Sequence, residues 1–110
     1  MTEATFFRRE GRLCGFTVTG HTDNAGSEQA KLVCAAVSSA VYMAANTLTD
    51  VIKAEASVSV DDGRMTLRLA DKGESAAAVL EGLRLHLIQL EEQYPTYLST
   101  TTEVQHDASH

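Results

Sequence analysis

From Ala56 to Ala70 the chain alternates with a period of two on either side of one short interruption. Ala56, Val58 and Val60 alternate with Ser57, Ser59 and Asp61; after Asp62-Gly63, Met65, Leu67 and Leu69 alternate with Thr66, Arg68 and Ala70. Two residues that tolerate positive φ, set between two such runs, specify an antiparallel hairpin. One face of that hairpin goes to a core and the other to water. A half-wet sheet needs a second layer, and the remaining chain has the patterns to supply one.

Thr5–Arg9 and Arg12–Thr19 flank Glu10-Gly11 and read as an earlier hairpin. Strict alternation puts Cys14, Phe16 and Val18 on one face and Leu13, Gly15, Thr17 and Thr19 on the other, making Cys14 a small core residue. From about Ser27 or Lys31 to about Lys53, apolar residues recur every three or four positions, as in Val33, Val37, Val41, Ala44 and Leu48. Either Asn24 or Ser27 can cap this helix, and neither has Glu or Gln three places on. Its broad, alanine-rich apolar surface suits cover on more than one side. A second helix runs from about Glu74 to Gln93, with Val79, Leu80, Leu83, Leu87, Leu90 and Tyr94 as its stripe and Leu85 and Ile88 off it; Pro95 ends it. The expected fold class is α+β: two layers, in the order β-hairpin–helix–β-hairpin–helix, with an antiparallel sheet. Residues 1–95 form the expected single domain, and the Ser/Thr-rich stretch 96–110 a flexible C-terminal tail.

One hundred and ten residues suffice for one core and not for two. Two cysteines make no disulfide framework, the first residues lack the basic start and apolar run of a signal peptide, and no uninterrupted apolar run nears the roughly 18 residues of a membrane helix. A reducing, cytoplasmic setting without membrane contact is the expectation. A net charge of −6 argues against direct nucleic-acid binding and suits a basic partner.

The chemistry-bearing residues gather in one stretch. His21 follows Gly20 at a strand end, and Cys34 sits thirteen positions later in an apolar run that opens a helix. A thiol attacks only as thiolate, and a helix N-terminus or a nearby cation favours that anion. If the helix begins near Lys31, Cys34 lies in its first turn and gains that help; if it begins at Ser27, Cys34 is about two turns in and loses most of it. A neutral imidazole at His21 can take the thiol proton and return it to a leaving amine. Lys31, three residues before Cys34, shares its helical face as a nearby cation, and Ser38 stands one turn beyond. The backbone amides at Cys34 and Ala35 are candidate oxyanion donors. His106 and His110 have helical metal-ligand spacing but no third ligand, so no metal site and no cofactor are expected.

Gly20-His21, a polar loop, and then Val33-Cys34-Ala35-Ala36-Val37-Ser38 resemble the ribosomal-processing cysteine protease (Prp) family. The resemblance spans most of the chain and includes Gly15-Phe16 before the Gly20-His21 pair. It implies a cysteine endopeptidase that trims an N-terminal extension, apolar and aromatic before the cut, from a large-subunit ribosomal protein. His21 is then the base and Cys34 the nucleophile, with a substrate loop that includes Asn24, Gly26 and Ser27, and a homodimer. Where the family carries an acid three residues before the cysteine, this chain has Lys31; if that acid orients the histidine or a substrate group, this chain does without it or uses Asp23, Asn24 or Glu28. The rival expectation from that departure is a non-catalytic, ribosome-associated binding module that retains the fold.

Overall fold

The computed structural model describes residues 1–20, 27–70 and 73–105. Its elements run β1 (Thr2–Arg9), β2 (Arg12–Thr19), α1 (Glu28–Asn46) continued by a π turn (Thr47–Val51), β3 (Ala56–Asp61), β4 (Arg64–Leu69), α2 (Glu74–Gln93) and β5 (Leu98–Val104). Five strands form one sheet in the order β3-β4-β2-β1-β5. All pairings are antiparallel except β1 with β5, which is parallel. The expected two-layer α+β fold is the one observed, with both helices contributing to a single core with the sheet.

Phe6, Phe16, Leu67 and Leu98 from the strands meet Val33, Val37, Leu48, Leu80 and Leu87 from the helices, all nearly inaccessible. Each such side chain contributes about 1.5–3 kcal/mol by leaving water, so this layer is what holds the helices to the sheet. With its π turn, α1 is 24 residues long and apolar enough, by length and composition, to cross a membrane. Its stripe Val33, Val37, Val41, Ala44 and Leu48 is buried in the core, while Leu32, Met43 and Val51 remain exposed.

Three expectations are corrected. The stretch from Leu98 to Val104 is a strand rather than part of a tail, because β1 offers it a full parallel ladder from Thr2↔Leu98 to Arg8↔Val104. Side chains of α2 then secure it: Glu91 accepts from the Thr100 N–H at 3.0 Å, and Arg84 donates to Thr102 Oγ1 at 2.9 Å. Residues 106–110, the rest of the expected tail, lie outside the described residues. Second, the pairing of β1 with β2 shifts between Phe7 and Arg8, so Phe7 faces Gly15 while Arg8 faces Leu13. This bulge leaves Cys14 without a partner and turns both Leu13 and Phe16 into the core; Cys14 is half-buried. Third, it is Glu10-Gly11 that uses positive φ at both turn positions, at 54° and 81°, whereas in Asp62-Gly63 only the glycine does, at 72°.

Candidate active site

Two strand ends and one helix face define the site. Ser27 caps α1, its Oγ accepting from the Ala30 N–H at 3.1 Å, so the helix begins at Glu28. Of the two expected caps Ser27 is the one used. Cys34 is therefore the seventh residue of the helix, roughly 9 Å of rise from its first. The dipole and the free amides act mainly over the first turn. Cys34 thus gains little from the helix start, as the Ser27 alternative implied. Its own N–H and that of Ala35 lie in the helix interior, where each is committed to a carbonyl four residues back. The expectation that these two amides hold an oxyanion is corrected on that ground.

Cys34 stands beside the buried stripe of Val33 and Val37, half-buried and facing the sheet. Directly across from it is the end of β2. A Cβ built on Gly20 would lie 3.6 Å from the Cys34 sulfur and 3.9 Å from Thr2 Oγ1. Gly20 is fixed there by its N–H, which donates to the Gly63 carbonyl at 2.9 Å in the β3–β4 turn. Thr2 is fixed in turn by an N–H bond to the Tyr97 carbonyl at 3.0 Å. Residues of β1, of α1 and of the end of β2 thus line one cleft beside the sulfur. The cleft is about 250 Å³, walled by Thr2, Gly20, Ser38, Tyr42, Val60 and Arg64.

Among the residues named from sequence, Cys34 and Ser38 share this cleft, with Ser38 exposed at its rim. Lys31 is exposed on the first turn of α1 and makes no ion pair among the described residues. His21, Asp23, Asn24 and Gly26 lie outside the described residues. Sequence reasoning missed Thr2, Tyr42, Val60 and Arg64, which come from four different elements. His86 is exposed along a separate groove between α1 and α2, with Met43 and Gly82. No cluster of three metal-ligating side chains occurs among the described residues.

A half-buried thiol on a helix flank, faced by a glycine at a strand end and bordered by a cleft, is what this two-layer α+β scaffold presents at the site. The chain belongs to the cysteine protease Prp family, whose profile matches residues 1–99. No curated protein matches it in sequence. Among solved structures it is similar to SMU.848 from Streptococcus mutans, at 29% identity and a TM-score of 0.86, over 96% of this chain and 99% of that one. It also superposes on the ribosomal processing protease Prp from S. aureus. With a covalently linked product peptide the TM-score is 0.83 at 20% identity, over 94% of this chain and 100% of that one. With a substrate peptide it is 0.80 at 19% identity, over 97% and 100%.

Proposed function

We propose that this chain is a cytoplasmic cysteine endopeptidase that removes an N-terminal extension from a large-subunit ribosomal protein, with Cys34 as nucleophile and His21 as base. The observation that carries this reading is the approach of Gly20 to the Cys34 sulfur. Chain connectivity holds residue 21 one Cα–Cα step, about 3.8 Å, from Gly20. The imidazole takes the proton of Cys34, and the thiolate attacks the scissile carbonyl. Collapse of the tetrahedral intermediate expels the amine, which takes that proton back, and water then hydrolyses the thioester with His21 again as base. The helix amides at Cys34 and Ala35 being committed, the Ser38 hydroxyl, in the same cleft, is our candidate donor to the oxyanion. Asp23, Asn24 and Gly26 belong to the loop that closes over the peptide. The active form is a homodimer, supported by the exposed Leu32 and Met43 on α1 and the apolar groove between α1 and α2.

The test is incubation with a peptide copying the extension and cut site of the ribosomal protein from the same organism. Wild type cleaves it, Cys34→Ala does not, and His21→Ala loses at least about a hundredfold in kcat. Undiminished cleavage by Cys34→Ala removes the nucleophile assignment. Two observations favour the non-catalytic reading: Lys31 replaces the family's acid, and Cys34 lies past the reach of the helix start. Iodoacetamide separates the two. A nucleophilic Cys34 alkylates quickly near neutral pH and much more slowly in His21→Ala; a rate no faster than that of an ordinary thiol favours the binding module.

A further inference from the structure

The sheet has two edges, and the fold treats them differently. Along β5, α2 supplies partners: Glu91 accepts from the Thr100 N–H and Arg84 donates to Thr102 Oγ1. Along β3 nothing comparable is present among the described residues. None of its six residues is buried, and Val58 and Val60 are 42% and 64% exposed although their neighbours across the ladder, Leu67 and Met65, are core residues. The edge carries neither lysine nor proline within the strand, the usual devices that discourage pairing.

Which backbone groups it presents follows from the ladder. The Ala70 N–H donates to the Glu55 carbonyl at 2.8 Å, so positions 55 and 70 form a hydrogen-bonded pair. In an antiparallel ladder such pairs alternate. Ser57, Ser59 and Asp61 therefore bond to β4, and the N–H and C=O groups of Ala56, Val58 and Val60 point away from the sheet. Val58 and Val60 also turn their side chains to the helix-covered face, where Tyr42 of α1 is 50% exposed. Val60 and Asp61, the last two residues of the strand, are at the same time part of the wall of the Cys34 cleft.

We propose that the free edge of β3 is the strand-docking site for the substrate. An extended peptide segment pairs with the outward groups of Ala56, Val58 and Val60, lays apolar side chains at alternate positions over Val58, Val60 and Tyr42, and runs past Val60 into the cleft beside Cys34. Backbone pairing supplies affinity and the alternating contacts supply selectivity for apolar residues, the division of labour of strand addition. This rests on the protease reading above, and the continuity of edge and cleft through Val60 and Asp61 is what selects a substrate segment as the occupant.

Binding is read by fluorescence anisotropy of the dye-labelled extension peptide on the full chain carrying Cys34→Ala, which separates docking from turnover. Val58→Pro removes an N–H that faces solvent and spares the ladder to β4; Val58→Lys keeps that N–H and places a charge on the apolar strip. Each should weaken peptide binding roughly tenfold, with far-UV circular dichroism unchanged. The lysine variant decides the matter if the proline variant fails to fold. Equal binding by the Cys34→Ala protein with and without the folded Val58 substitutions overturns the proposal, as does absence of binding to that protein. Sedimentation provides a further arm: a dimer that splits in Val58→Lys while peptide binding persists makes this edge an interface between copies and overturns docking. Edge-dependent binding without any cleavage by wild type upholds the docking site and defeats the protease reading alone.

Discussion

Gly20 keeps the thiol of Cys34 open by having no side chain. A methyl there would rest 3.6 Å from the sulfur, an ordinary van der Waals contact, so Gly20→Ala should fold normally. It would nevertheless occupy the space an approaching group needs. We expect alkylation of Cys34 by iodoacetamide to slow roughly tenfold, with the thermal midpoint little changed; an unaltered rate would mean the attack path runs elsewhere. Gly15 is the opposite case. A Cβ on it would collide with the Leu67 carbonyl of β4, and backbone cannot swing aside. Gly15→Ala should therefore cost about 1–3 kcal/mol in a urea titration. The approach of Gly20 to Cys34 could be read from the order strand end, loop and helix, which are local patterns. The start of α1 could not, because no capping box marks Ser27 and the apolar period alone leaves a start at Ser27 or at Lys31. That ambiguity hid the loss of the Cys34 and Ala35 amides as oxyanion donors.

At the scale of elements, the sequence was most informative where the periodicity was unbroken. Helix α2 spans Glu74–Gln93 as expected, because a continuous stripe, a glycine before it and a proline after it all agree. Strand β2 misled because one bulge reverses the alternation, and a bulge has no signature beyond the unpaired Cys14 itself. The end of α1 is the other departure. The helix widens into a π turn, with the Ile52 N–H bonded to the Thr47 carbonyl at 2.8 Å, and then closes on Lys53 at φ 59°. A residue with a Cβ is disfavoured there by roughly 1–2 kcal/mol, whereas glycine is not. Lys53→Gly should raise the thermal midpoint by a few degrees, on the order of 4 °C per kcal/mol recovered, as measured by calorimetry. A fall instead would show that the lysine side chain contributes more than its backbone costs.

Across the whole molecule, β5 ties the stability of the sheet to the site. Its sequence, Leu98-Ser99-Thr100-Thr101-Thr102-Glu103-Val104, has apolar residues only at its two ends. Nothing local distinguishes it from a tail, and it becomes a strand through non-local partners: the ladder to β1, and Arg84 and Glu91 of α2. Leu98 is fully buried, and truncating such a leucine to alanine alone costs about 2–5 kcal/mol. Ending the chain at Tyr97 removes that side chain and the parallel ladder together, and it turns β1, with Phe6 at its centre, into an exposed edge. Compared with the chain ending at Gln105, we expect a thermal midpoint lower by at least about 10 °C and a tendency to aggregate. The loss should reach the thiol as well. Thr2, which stands in the Cys34 cleft, is registered against Leu98 and bonded to the Tyr97 carbonyl. Without the ladder that end of β1 keeps only β2, whose end abuts the same sulfur, and a now terminal Tyr97 as partners. The shortened protein, assayed well below its midpoint, should therefore show slower peptide cleavage than the chain ending at Gln105. Equal cleavage by the two would mean that the position of Thr2 does not matter to the chemistry at Cys34.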